Sequence, residues 1–530
     1  MRPGKQEWSG EPDLFRARGK GVRMSADIQK LFRPSLVLGG LTLLVHLLFN
    51  AGYGINRDEL YFIVCGQRLA WGYVDQPPLV PMLAAWSYAL AGDWLIGFRL
   101  IPALALSGTV VMTAEFVRVV GGGRYAQWLA GLCAALAPQF LALGMIFTTD
   151  TFQPISWLAC VWVLVRLEQT KDERWWLAFG AVVGLSLLSK YMIAFYVVAL
   201  AIGLLATSLR TSLLKPWVYA GAALGLVIVL PNILWQQAHG WPFIELGKAG
   251  ASGKNIELSP WGFFTQQLLL MGPLAGPVWL AGLWAGARKP AFTTFRAVPI
   301  AYVLLFGFFV IDHGKAYYLT PIYPVLLAMG AIAIERWMAN TYARGAIVAA
   351  IAVSGAVFAP LAIPVMSEEA YIRYSAALGM TPSATATEHL KQSSLPQGLA
   401  DMHGWPEMAA KIAKVYWSLP PKERAKAVFA GGNYGEAAAI DIYGSRLGLP
   451  PAISGHNNYW IWGPRGHDGS VVIEIGGTRE QRLKLFRSVE FAGWIESPYA
   501  MPYETHQPIW IERDLKQPMK DVWQKAKRYR

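Results

Sequence analysis

Apolar runs long enough to cross roughly 30 Å of hydrocarbon recur through the first two thirds of the chain, separated by short polar or basic breaks. About eleven can be read, each set against a span of about 20 residues. They begin near Pro34, Trp94, Arg124, Thr151, Arg174, Tyr191, Pro216, Trp261, Arg296, Ala316 and Arg344. From about Ser367 the long runs stop. Ala427–Ala430 and Val471–Ile475 then read as strands, and 434–443 as a helix behind the turn Gly431-Gly432-Asn433. The pattern predicts an α-helical polytopic membrane protein with a soluble α/β or α+β domain after it. Its expected parts are a basic segment 1–33, a membrane region 34–366 and a soluble region 367–530.

The loop between the first two spans, residues 51–93, is long and half apolar. Residues 57–70 and 79–90 each fit a short amphipathic helix, with Gly72 and Pro77-Pro78 between them. Such helices would lie in the membrane interface, apolar face down. A second long loop, 236–260, contains His239-Gly240-Trp241-Pro242-Phe243 and reads as a lid over a cavity.

Composition agrees with this pattern. Of the 530 residues 54% are hydrophobic and only 15% charged, far from a soluble protein of this size. The net charge of +13 raises the possibility of nucleic acid, but its distribution argues against it. With the N-terminus inside, about twenty basic residues fall at cytoplasmic ends of spans and about seven outside, as the positive-inside rule requires. Beyond Ser367 the count is nearly balanced, about twenty basic against seventeen acidic. The excess charge encodes topology, and no nucleic-acid partner is expected. The long basic start and the absence of a small-residue cleavage site read as an uncleaved anchor. An odd number of spans then puts the soluble region outside. Cys65, Cys133 and Cys160 are the only cysteines, which gives neither a disulfide framework nor a cysteine metal site.

Charged groups against a bilayer are costly to desolvate, so they mark candidate sites. Arg57-Asp58-Glu59 follows the first span. A carboxylate beside an outer cavity can act as general base, and the same three residues can simply cap a helix. Neighbouring helix residues point about 100° apart, so one acid faces a small target. Asp58 is the choice, with Glu59 in an orienting or metal-adjacent role. Asp75 is a third acid, in Gly72-Tyr73-Val74-Asp75-Gln76-Pro77-Pro78-Leu79. Asp150, an N-cap by position, returns to the same face. Lys190, and Lys315 beside Tyr317 and Tyr318, read either as snorkelling or belt residues or as a phosphate clamp. His239 is a loop residue or a metal ligand, and without a second histidine nearby the loop reading is preferred. The loops 432–436 and 454–459 look like binding loops whose default reading is structural turns.

Together these residues resemble the GT-C-fold glycosyltransferases, specifically the bacterial branch of the dolichyl-phosphate-mannose protein mannosyltransferase family. The resemblance runs over roughly 35–335 and rests on Asp58-Glu59, the 72–79 motif, Arg99-Leu100, Thr149-Asp150, Lys190 and Lys315 through Tyr323-Pro324. The chain is also similar to lipid A aminoarabinose transferases. The resemblance implies transfer of one sugar, with inversion, from a polyprenyl-phosphate donor to a periplasmic glycolipid, polysaccharide or protein acceptor. It implies a bacterial inner-membrane enzyme with its soluble domain in the periplasm. On this reading Asp58 is the base, Glu59 and Asp150 accompany it, and Lys190, Lys315, Tyr317 and Tyr318 meet donor phosphate. Arg57, Asp75 and His239 complete the substrate cavity. A divalent metal is left open. The alternatives are a lipid-linked sugar flippase or other transporter, expected to carry mid-membrane charges and matched halves, and an oligosaccharide polymerase or ligase.

Overall fold

The computed structural model describes residues 33–251 and 255–529. The expected basic segment 1–33 lies, except for Arg33, outside the described residues. A helix begins within a few residues of each of the eleven expected starts. Five helices are long and apolar enough to cross a membrane, or up to eight when each sharply bent pair is one span. Three shorter apolar helices, Pro34–Phe49, Leu79–Ala91 and Trp175–Leu187, accompany them. Several begin on proline, whose missing N–H costs nothing at a first turn: Pro34, Pro138, Pro216 and Pro260.

Between membrane helices, apolar side chains gain little from leaving lipid, so close backbone approach matters more. Glycines supply it at two crossings. A Cβ on Gly330 would lie 1.7 Å from the Val278 carbonyl oxygen, and one on Gly282 2.1 Å from that of Leu326. The helices Gly276–Arg288 and Tyr323–Trp337 therefore pack almost backbone to backbone. Gly180 meets Gly221 in the same way, joining Trp175–Leu187 to Pro216–Ala238.

Beyond Ala362 the helices shorten and a four-stranded sheet follows, in the order β1-β2-β4-β3. Strands β1 (Ala427–Ala430) and β2 (Val471–Ile475) pair in parallel. The two strands that sequence patterning missed, β3 (Phe486–Ile495) and β4 (Gln507–Leu515), form an antiparallel pair against β2. A bulge at Phe491/Gly493 breaks the alternation in β3, which removes its period-two signal.

The first-loop helices form at Arg57–Gln67 and Leu79–Ala91. Their expected placement is corrected for the first of them. Leu60, Ile63 and Val64 are not laid on lipid. They are buried in one hydrophobic cluster with Ala437, Ile440 and Tyr459 and with Ile473 and Ile511 of the sheet. First loop and C-terminal sheet thus share a core.

Glu59 fixes this loop to the membrane region. Its side chain and that of Arg99 are both fully buried, 2.6 Å apart. Glu59 also accepts from the backbone N–H of Phe147 at 3.0 Å and of Asn56 at 2.9 Å, the second closing a capping box. Arg99 spends its other donors on the carbonyls of Asn50 and Gly54, each at 2.6 Å. Removing one partner strands a buried charge, which costs about 3–5 kcal/mol. Arg99→Ala and Glu59→Gln are expected to cut folded protein in membranes and lower the detergent melting temperature by several degrees. An unchanged melt would contradict the assigned role.

Candidate functional site

A cavity of about 680 Å³ opens where the first loop, the membrane helices and the C-terminal segment meet. Asp58 reaches it from the first turn of Arg57–Gln67, with 45% of its side chain exposed. Asn56 caps that helix by accepting from Asp58 N–H at 2.9 Å, so the carboxylate is presented at a fixed helix start. Arg57, Asp75, Asp150, Lys190, Lys315, Tyr317 and Tyr318 line the same cavity.

The two lysines converge on one ring. Lys190 Nζ lies 5.7 Å and Lys315 Nζ 5.9 Å from the centroid of Tyr317, and Lys190 lies 4.8 Å from that of Tyr318. Each lysine has a carboxylate partner. Lys190 donates to Asp150 at 2.6 Å and Lys315 to Glu388 at 2.5 Å. The cations are therefore held in the cavity by their counter-ions.

A smaller apolar pocket of about 210 Å³ adjoins the cavity and shares Lys315 and Tyr317 with it. Its wall includes Pro138, Ile256, Leu258, Leu269, Phe358 and Leu361. An apolar slot ending at a cation suits an amphiphile with an anionic head.

Two sequence-based expectations are corrected. Glu59 does not line the cavity, because the pair with Arg99 turns it into the protein interior. His239 is also outside the lining: it ends the helix Pro216–Ala238, exposed and stacked on Trp235 at 4.0 Å, with Nδ1 2.8 Å from the Trp235 carbonyl. Phe243 and Leu246 of the same loop do reach the cavity. Among the described residues no group of three or more His, Cys, Asp or Glu is gathered as metal ligands.

Sequence reading missed Glu388 and Asp401 and left Tyr434 in a loop whose default reading was a structural turn; all three lie on the cavity wall. Asp401 sits 3.4 Å from the Arg57 guanidinium. Nothing in the local pattern singles out Glu388 or Asp401, since each comes from a loop or short helix of the segment read as soluble. Their contacts are distant in sequence: Glu388 meets Lys315 across 73 residues, and Tyr434 meets Asp58 across 376.

Burial pushes the Asp75 and Asp401 carboxyls up to about 6, against an ordinary value of 3.8. For Asp401 the Arg57 charge opposes the burial, and for Asp75 hydrogen bonds from Tyr61 and Asn457 do so. The folded protein thus prefers the protonated acids. That stabilisation is complete below 3.8 and is lost as pH rises through about 6. The melting temperature is expected to fall as pH is raised from about 5 to about 7. Asp75→Asn should flatten the slope, and an identical slope in both proteins would exclude this origin.

Residues 75–235 match the family model of dolichyl-phosphate-mannose-protein mannosyltransferases. The lipid A galacturonosyltransferase RgtD of Rhizobium johnstonii is 25% identical over 237 residues, 44% of this chain and 49% of that protein. The undecaprenyl phosphate-alpha-4-amino-4-deoxy-L-arabinose arabinosyl transferase 1 of Sodalis glossinidius is 26% identical over 289 residues, 48% of this chain and 49% of its own. The chain spans about half the length of the curated relatives it matches. Two crystal structures of ArnT from Cupriavidus metallidurans superpose over nearly the whole fold at 15% identity. The one bound to undecaprenyl phosphate gives a TM-score of 0.58 over 90% of this chain and 97% of that one. The apo state gives 0.57 over 92% and 98%. The fold is the GT-C fold of ArnT, as the sequence resemblance implied, and the chain is a multi-pass membrane protein.

Proposed function

We propose that the chain is a glycosyltransferase of the bacterial inner membrane, moving one sugar with inversion from a polyprenyl-phosphate donor to a glycolipid acceptor on the periplasmic face. The observation that carries this reading is the meeting, in one cavity, of the Asp58 carboxylate with two lysines at the mouth of an apolar pocket. The names of the two curated relatives, a lipid A galacturonosyltransferase and an undecaprenyl-phosphate arabinosyl transferase, support a lipid-linked donor and a lipid A type of acceptor. The charge bias along the spans supports an inside N-terminus and an outside C-terminal region.

In the proposed reaction the lipid chain occupies the apolar pocket and its phosphate meets Lys315 and Lys190 beside Tyr317. The acceptor hydroxyl gives its proton to Asp58, its oxygen bonds to the anomeric carbon, and the carbon–phosphate-oxygen bond breaks. The donor's single phosphodiester charge and the carboxylate charge become the two charges of the released polyprenyl phosphate. The cations stabilise that developing charge. No nucleotide is consumed. Asp150 and Glu388 act by holding the lysines, and Asp75 by shaping the first-loop wall.

A general base is worth roughly a hundred- to ten-thousand-fold in rate. Asp58→Asn is expected to lose that much transfer while reaching the membrane in normal amount. Normal turnover by this variant would sink the base assignment. Lys190→Ala is expected to raise the donor concentration giving half-maximal rate and leave the acceptor's unchanged; a shift confined to the acceptor would contradict the phosphate role. The acceptor and sugar are read by comparing glycolipids of a deletion strain and its parent by mass spectrometry. An unchanged glycolipid profile would overturn the proposed acceptor class.

A further inference from the structure

The C-terminal region does more than pack against the first loop. Tyr434 lies at the first turn of the helix Tyr434–Ala439, and its hydroxyl donates to Asp58 Oδ1 at 2.7 Å. Its ring stacks on Tyr61 at 4.6 Å, and the Arg57 guanidinium lies over the ring at 5.3 Å from its centroid. Two residues of the helix that carries Asp58 thus contact the ring.

The backbone at Tyr434 is fixed as well. Asn433 caps the helix by accepting from Gly435 N–H at 2.8 Å and Glu436 N–H at 3.1 Å. Tyr434 N–H donates to His456 Nδ1 at 3.3 Å. Gly435 permits the approach, because a Cβ there would lie 2.2 Å from Arg57 Cγ. A neighbouring loop makes a parallel contact with the next acid. Asn457 Nδ2 donates to Asp75 Oδ2 at 2.9 Å, while Tyr61 donates to Asp75 Oδ1 at 3.2 Å. Asn458 accepts from Val74 N–H at 2.6 Å and donates its own N–H to the Tyr61 hydroxyl at 3.2 Å.

We infer that Tyr434 is a positioning residue for the transfer reaction: by donating to one oxygen of Asp58 it orients the carboxylate and leaves Oδ2 for the acceptor hydroxyl. The inference rests on the proposed role of Asp58 as base. Two further observations agree with it. Among the described residues Asp58 Oδ1 has Tyr434 and, at 3.7 Å, Arg57 as neighbours, and Oδ2 has no hydrogen-bond partner. Burial drives the Tyr434 hydroxyl well above its usual range, with Arg57 opposing and the Asp58 charge adding, so it keeps the proton that it donates to Asp58. The other charged or titratable groups on the cavity wall with Asp58 include Asp75, Asp150, Asp401, Glu388, Lys190, Lys315 and Tyr317. None of them donates a hydrogen bond to it.

The test uses purified full-length protein added to membranes of the deletion strain, which hold native donor and unmodified acceptor together. Tyr434→Phe keeps the ring and its stacking and removes one oxygen. The maximal rate is expected to fall roughly ten- to a hundred-fold, the size of a lost hydrogen bond to a charged group. The membrane amount giving half-maximal rate should stay unchanged. The acid limb of the pH–rate profile should move upward, because the carboxylate loses a bond that favours its charged form. A merely structural role would lower the melting temperature without moving that limb.

Should Tyr434→Phe lose folded protein, 3-fluorotyrosine at 434 preserves the shape and strengthens the donor. It is expected to shift the acid limb the opposite way. A wild-type rate and profile in these proteins, with Asp58→Asn inactive, would overturn the role of Tyr434 and leave the base assignment standing. An active Asp58→Asn would instead bring down the assignment on which it rests.

Discussion

The buried pair between Glu59 and Arg99 is the constraint on which the site depends. A carboxylate and a guanidinium with no exposed side-chain surface are tolerable only when their remaining hydrogen-bond capacity is met. Here it is met from four places: the first loop at Asn56, the end of the first helix at Asn50, the turn at Gly54, and Phe147 after the bent helix pair. Ion pair and capping box together set where the helix Arg57–Gln67 begins. Asp58 is one residue from Glu59, so its position is inherited from that lock. Of two adjacent acids, one is structural so that the other can be presented.

The opposite wall obeys a related rule. Lys190 and Lys315 are kept near lipid by Asp150 and Glu388, so no cation stands unpaired against a low-dielectric wall. In the proposed reaction the donor phosphate would replace or join a carboxylate already present, and the lysines would not have to be gathered. Such preorganisation is where electrostatic sites gain most of their effect. Both ammonium groups also lie near one tyrosine ring, whose π face attracts a cation that is shielded from water.

Much of the fold was legible because lipid imposes one long, simple signal. Every expected span start has a helix near it, and strands β1 and β2 fall on apolar runs that stand out from their surroundings. The site was legible to the extent that its groups are charges in apolar company: Asp58, Asp150, Lys190 and Lys315 all reach the cavity. Glu59 was misread because its partner Arg99 lies 40 residues away and spacing does not show which acid turns inward. His239 looked suggestive only through its motif, and the structure stacks it on Trp235. Glu388 and Asp401 carried no signal, and Tyr434 only that of a loop read by default as a turn, because ordinary polar residues in a soluble segment acquire meaning only through the surface they touch. The apolar face of Arg57–Gln67 was equally ambiguous: lipid and a protein core select the same side chains.

The bond between Tyr434 and Asp58 joins residues 376 positions apart, and this separation is also a separation in time. At about 5–20 residues per second of synthesis, the first loop exists for roughly twenty to seventy-five seconds before residue 434 is made. During that interval the first-loop acids, and later the lysine region, join the growing chain while the tyrosine contact is missing. A polypeptide cut short before residue 434 would contain the long apolar helices of the described residues, the last of which ends at Ala362, and still lack this contact to Asp58.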